Sequence, residues 1–234
     1  GTKNIIKKAK EINAKLIYVS SVHAIEEKLN HEVMDENASF DPNKIVGLYA
    51  KTKAETTRYV FNEVKNNNLN ACVVFPSGLL GVNDFTNTNM TVLIKKILNE
   101  KVPLLTEGGY DFVDVRDVAR GVINACTKGK KGEGYILSGE YVTIKKIADL
   151  VCEYGKAKPI KKVISIKMVK NIAFLFELYY RLRKTTPLFT RYSLYTLNAN
   201  SNFTNAKAKK DLDYQTRSIK YTIKDLVNEI KSNE

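Results

Sequence analysis

Along residues 1–14 the apolar Ile5, Ile6, Ala9 and Ile12 recur among polar neighbours. That spacing predicts an amphipathic helix. Leu16-Ile17-Tyr18-Val19 is a short apolar run and reads as a buried strand. Residues 20–40 read as a polar loop region, with Pro42 and Asn43 beyond it. Residues 48–65 predict a helix whose inner side carries Ala50, Ala54, Thr57, Phe61 and Val64. Residues 71–75 form an apolar strand stopped by Pro76. Helices follow over 91–98, over 117–125 with Asp117 as the expected cap, and over 144–154 capped by Thr143. Between the last two, Tyr135-Ile136-Leu137 is a strand bounded by glycines. Further helices are predicted over 168–183 and 223–230.

Strand and helix alternate early, and the later part is mostly helical. This order predicts an α/β chain, a parallel sheet followed by a helical lobe. The chain also opens on a helix with no preceding strand or cap, so it reads as the inside of an α/β domain.

Composition narrows this only partly. The 234 residues are 44% hydrophobic and 27% charged, which excludes disordered, collagen-like and disulfide-scaffold classes. The formal charge of +13 raises nucleic acid, anionic membrane and phosphorylated ligands as partners. The lysines recur along the whole chain and read as a solvated surface, which favours an anionic cofactor or substrate over nucleic acid. Cys72, Cys126 and Cys152 form no CxxC pair and read as buried small hydrophobes in a reducing cytoplasm. No signal-peptide pattern opens the chain, and no apolar run reaches the roughly 18 residues of a membrane span. The aromatic stretch 171–182, flanked by Lys167, Lys170, Arg181, Arg183 and Lys184, admits peripheral membrane contact. A lobe helix packed over the active-site cleft is the preferred reading.

The chain has no HExxH, GxSxG or GxxxxGK[ST] and only two histidines, leaving metal hydrolysis and P-loop chemistry without a foothold. What stands out is Tyr49-x-x-x-Lys53, two residues on one helix face. An ammonium near a phenol favours the phenolate, and such a tyrosine can pass a proton near neutral pH. The pairs Tyr141/Lys145, Tyr154/Lys158 and Tyr180/Lys184 have the same spacing and read as surface residues. Only Tyr49 lies between a strand ending at Ser20-Ser21 and another ending at Pro76-Ser77. Carboxyl ends of parallel strands are where α/β sheets bind ligands.

Six segments in order carry a resemblance. They are Gly1-Thr2-Lys3-Asn4-Ile5, Leu16-Ile17-Tyr18-Val19-Ser20-Ser21, Tyr49-Ala50-Lys51-Thr52-Lys53-Ala54-Glu55, Val73-Val74-Phe75-Pro76-Ser77-Gly78-Leu79-Leu80-Gly81, Phe112-Val113-Asp114-Val115-Arg116-Asp117-Val118-Ala119, and residues 203–214. The chain resembles an extended short-chain dehydrogenase/reductase of the NAD-dependent epimerase/dehydratase superfamily, and Gly134-Tyr135-Ile136-Leu137-Ser138-Gly139-Glu140 with the helix after it most resembles the dihydroflavonol-reductase-like branch. Phe75 stands where that family commonly has arginine or asparagine.

The resemblance implies a Rossmann-type sheet over residues 1–139, with 82–108 contributing to a smaller, mostly helical substrate lobe over 140–234. It also implies roughly 90 to 100 further N-terminal residues carrying the Gly-rich turn, since no GxxGxxG occurs here. The 234 residues alone would then be inactive, with a central strand left unpaired. NADP or NAD is the implied cofactor. Tyr49 passes a proton to or from the substrate oxygen, and Lys53 eases that transfer and bonds the nicotinamide ribose. Ser21 holds the substrate oxygen, with Ser20 second in line for that role. Pro76, Ser77, Gly78 and Leu79 lie by the nicotinamide, and His23 and Asn83 are substrate-side candidates. Asp114 and Asp117 read as structural. The implied reaction is reduction of a small-molecule carbonyl or oxidation of the alcohol. Sugar-nucleotide epimerisation ranks below it, and a non-catalytic binding protein on the same fold lower still. Val22-His23-Ala24 lacks the acid and base of a dehydratase. A homodimer stays open.

Overall fold

The computed structural model describes residues 1–28, 31–168 and 191–233. In chain order the elements are α1 (Thr2–Glu11), β1 (Leu16–Val19), α2 (Leu48–Asn67), β2 (Ala71–Pro76), β3 (Gly78–Leu80), α3 (Asn89–Leu98), β4 (Leu105–Thr106), β5 (Gly109–Asp114), α4 (Val115–Lys128), β6 (Gly134–Leu137), β7 (Glu140–Thr143), α5 (Ile144–Gly155), β8 (Val163–Ile164), α6 (Arg191–Asn198), α7 (Ala206–Leu212) and α8 (Ile219–Ser232). Single 3-10 turns lie at Val22–Ala24 and Pro42–Lys44. The residues divide into two compact units. The first is Gly1–Leu79, Asp111–Gly139 and Asn200–Arg217; the second is Leu80–Tyr110, Glu140–Ala199 and Ser218–Glu234.

The first unit is built on a parallel sheet of order β1-β2-β6. Leu16 pairs with Ala71 and Val19 with Val74, while Val73 faces Gly134 and Pro76 faces Leu137. All six residues of β2 are buried, as a central strand covered on both faces requires. Side chains alternate between those faces. On one, Cys72, Val74, Tyr135 and Leu137 meet Val118 and Ala125 of α4 and Ala208, Leu212 and Tyr214 around α7. On the other, Phe75 stacks on Phe40 with ring centroids 5.3 Å apart, and Phe40 also meets Phe61 of α2 at 5.6 Å. Phe75 is fully buried, and burying such a side chain stabilises by roughly 1.5–3 kcal/mol. A Cβ on Gly134 would lie 2.8 Å from the Phe75 ring, so this aromatic residue and the glycine beside it are fitted to each other.

The two edges of this sheet differ. On β6 the outward N–H of Ile136 donates to Glu36 Oε1 at 2.8 Å, so a loop carboxylate covers the edge. Burial pushes the Glu36 carboxyl up from its ordinary value. On β1 no strand pairs with the outer edge among the described residues. That strand is half-buried, with Val19 41% exposed, rather than buried as its apolar run suggested.

The second unit packs helix on helix. Ile147, Leu150 and Val151 of α5 and Ile223, Leu226 and Val227 of α8 are buried, with Ile94 and Ile97 of α3. Thr143 Oγ1 accepts the Lys146 N–H at 3.1 Å, so α5 is capped as expected. Strand β4 pairs in parallel with β8.

Several expectations need correction. Helix α4 begins at Val115, and its cap is Asp114, which accepts the Arg116 N–H at 2.8 Å; Asp117 sits inside the first turn. Val60 completes the buried stripe of α2, whereas Phe61 and Val64 are only partly buried. Helix α1 buries Ile6 and Ala9 but leaves Ile5 exposed, as is Ile12 at its C-cap. Cys72 and Cys152 are buried and Cys126 is exposed. The stretch 171–182, the pair Tyr180/Lys184 and most of the helix predicted over 168–183 lie outside the described residues. No described helix is long and apolar enough to cross a membrane.

Candidate functional site

Strand β1 delivers Ser20 and Ser21 at its carboxyl end, and the chain then turns through Val22–Ala24. The two hydroxyls have different surroundings. Ser20 Oγ lies 2.7 Å from Thr57 Oγ1 in a buried hydrogen bond. Ser21 Oγ accepts the His23 N–H at 3.2 Å and so caps the turn. An accepting hydroxyl keeps its own proton to donate.

The turn is clamped against α2. Ala24 packs with Ile45, Ala50 and Ala54, and with Phe40 beside them. Helix α2 starts after Gly47, whose φ of 99° lies in the left-handed region that glycine tolerates without strain. Tyr49 therefore stands in the first turn and is 55% exposed. Its ring meets the His23 ring edge to face, with centroids 6.4 Å apart and planes at 79°. Burial pushes the His23 imidazole below its ordinary value, which keeps the ring neutral at pH 7.

Lys53 is one turn further along α2. Its Nζ donates to the Val19 carbonyl at 2.9 Å and lies 5.4 Å from the centre of the Tyr18 ring. Burial lowers the Lys53 ammonium from its ordinary value and raises the Tyr18 phenol. Neither Tyr18 nor Thr57 was read from sequence as a site residue, although Thr57 stood among the inner-side positions of its helix. Thr57 was within reach, because it lies two helical turns beyond Tyr49 on the face that Lys53 and Ala54 also border.

The parallel neighbour β2 ends at Pro76 next to Ser77. The Ser77 N–H donates to the Leu137 carbonyl at 3.3 Å. Its hydroxyl is buried and has no hydrogen-bond partner among the described residues. Gly78 is half-buried and Leu79 is 48% exposed, both in β3. The first unit thus gathers Ser21, His23, Tyr49 and Lys53 at the end of β1 and Pro76–Leu79 after β2.

Asn83 belongs to the second unit. It is exposed, with a left-handed φ of 65°, and its N–H bonds both Glu229 carboxylate oxygens at 2.9 and 3.0 Å. Among the rival pairs, Tyr141 is 57% exposed and Lys145 bonds Asp149. Lys158 is ion-paired with Glu100, while the Tyr154 hydroxyl is buried rather than at the surface.

The chain as a whole is similar to known proteins. The sequence model of the NAD dependent epimerase/dehydratase family matches residues 1–138. The chain is 25% identical over 232 residues to sterol demethylase protein B of Methylococcus capsulatus, covering 97% of this chain and 70% of that protein. A Synechocystis protein bearing the name dihydroflavonol 4-reductase is 29% identical over 152 residues, 63% of this chain and 44% of its own length. Among solved structures, gox2253 superposes with a TM-score of 0.84 at 28% identity, covering 99% of this chain and 71% of that one.

Proposed function

The chain belongs to the NAD dependent epimerase/dehydratase family, and on that footing we propose that it serves an NAD(P)-dependent reductase acting on a small-molecule carbonyl, or on the alcohol in reverse, through Ser21, Tyr49 and Lys53. The observation that carries this reading is the grouping at the end of β1. Ser21 caps the turn that sets His23 against Tyr49, and Lys53 is tied to Val19 on the same strand.

When bound, the nicotinamide cofactor supplies or accepts the hydride. The chain's residues fit its amide end, because the Ser77 hydroxyl is a buried polar group without a partner, and such groups ordinarily have one. Lys53 Nζ gives one hydrogen bond to Val19. Its remaining donors suit ribose hydroxyls. The Ser21 hydroxyl donates to the substrate oxygen and fixes its place. Tyr49 then passes its phenolic proton to that oxygen, or takes it back in the reverse direction. His23, neutral and partly buried, walls the substrate side without adding charge. Asn83 is a further candidate for substrate contact.

Tyr49→Phe tests the reading. In the full-length protein it should lower turnover by about 10²–10⁴-fold, the range for losing a positioned acid–base group, while cofactor binding followed by NAD(P)H fluorescence stays unchanged. Normal turnover by this variant would refute the mechanism. A substrate converted with no net change in NAD(P)H would shift the assignment to epimerisation.

A further inference from the structure

The lysines are not spread evenly in the second unit, contrary to the reading from sequence alone. After Glu153 the next acidic residue is Glu177, and Lys156, Lys158, Lys161, Lys162 and Lys167 fall in the first part of that interval. All five are exposed. Lys158 is paired with Glu100 at 3.0 Å, and the other four make no ion pair among the described residues.

This basic stretch is held by the fold rather than trailing from it. Lys156 closes α5 in a left-handed conformation, φ 58°, with its N–H on the Cys152 carbonyl. Strand β8 is then pinned to β4, because the Leu105 N–H donates to the Lys162 carbonyl and the Glu107 N–H to the Ile164 carbonyl, each at 2.9 Å. Between and beside the charges, Val163 is 38% and Met168 is 56% exposed.

We propose that residues 156–168 form a docking surface for a bilayer carrying anionic lipid. Fixed lysines beside exposed aliphatic side chains combine the two attractions of an interfacial segment, charge to headgroups and apolar contact at the acyl boundary. The stretch contains no arginine and no aromatic residue. Single-stranded nucleic acid is ordinarily held on aromatic stacking platforms, and arginine is the usual residue for phosphate recognition. The surface is independent of the reductase reading and stands or falls without it.

Vesicle co-sedimentation tests the proposal. The protein should bind phosphatidylcholine vesicles containing about 30% phosphatidylserine and leave pure phosphatidylcholine vesicles unbound, with binding weakening as salt rises above ~0.1 M. Each lysine at an anionic surface is worth about fivefold in partitioning. Joint Lys→Gln substitution at 156, 158, 161, 162 and 167 should therefore abolish sedimentation at an unchanged melting temperature. A control with Lys7, Lys51, Lys65, Lys209 and Lys210 changed to Gln should bind as the wild type does. Absence of vesicle binding would overturn the proposal, as would equal losses in the two variants. So would a single-stranded oligonucleotide that binds as tightly as the vesicles with the same dependence on the five lysines.

Discussion

Lys53 Nζ donates to the Val19 carbonyl at 2.9 Å, so the lysine one turn after Tyr49 is anchored to the strand that delivers Ser21. In the parallel pairing Ser20 N–H reaches back to Val74, and Val19 therefore turns its carbonyl to the other edge. The ammonium satisfies that carbonyl and stays at the strand end. Lys53→Met should raise the cofactor KM and lower kcat by about 10²-fold or more. Lys53→Arg should not rescue it, because the larger forked guanidinium does not reproduce the compact ammonium that donates to the Val19 carbonyl. Steady-state kinetics on both variants check this, and full activity in Lys53→Arg would contradict it.

The adjacent serines should separate cleanly. Ser20→Ala leaves the Thr57 hydroxyl, itself fully buried, without its partner. The expected cost is about 1–3 kcal/mol of stability, read from denaturant midpoints, with kcat nearly unchanged. Ser21→Ala removes a long cap bond on a short turn and should cost about 1 kcal/mol or less, while kcat falls sharply. If kcat drops in Ser20→Ala and not in Ser21→Ala, the roles have been assigned the wrong way round.

His23 makes stability depend on pH. Burial lowers its folded-state pKa, whereas the unfolded chain keeps a value near 6.5. Between those two values the unfolded state holds more protons, so stability rises with pH there. The contribution is complete above about pH 6.5 and is lost as pH falls through the folded value. His23→Gln should flatten this part of the profile of denaturant midpoint against pH. An unchanged slope in the variant would assign it to other groups.

Much of this was legible in the chain. The alternation of short apolar runs and helical periods gave β1, α2, β2 and β6 close to their observed limits, because buried parallel strands and amphipathic helices write their periods directly. The Tyr49–Lys53 spacing and its flanking strands led to one end of one sheet. The two-residue strands β4 and β8 escaped notice because they are too short to show a period, and β3, β5 and β7 were not read as strands either. The fate of Ser20 depended on Thr57, a contact across 37 residues. The return of residues 200–217 to the first unit is likewise a matter of tertiary packing that no local pattern records. The cap of α4 was misplaced because both Asp114 and Asp117 are good capping residues, and the Asp117 carboxylate is taken up by the distant Arg217 instead.

That arginine supports the last prediction. Asp117 is 2% exposed, and its carboxylate accepts the Arg217 N–H at 2.8 Å, Nε at 3.0 Å and Nη2 at 2.8 Å. Asp114 beside it is held by Arg116 through Nε at 2.9 Å and Nη2 at 2.7 Å, with Arg217 Nε at 3.8 Å. Two buried carboxylates thus share two guanidinium groups at the start of α4. Tyr214 lies under the same cluster, and burial with these nearby carboxylates raises its phenol far above the ordinary range. Arg217→Met would leave Asp117 charged and buried with only backbone support. Breaking a buried pair from one side costs about 3–5 kcal/mol, enough to unfold a marginal domain. The double variant Arg217→Met with Asp117→Leu removes both charges and should regain most of that loss. Urea midpoints for the two single variants and the double variant close the cycle, and strictly additive losses would show that the pair is not the source of the stability.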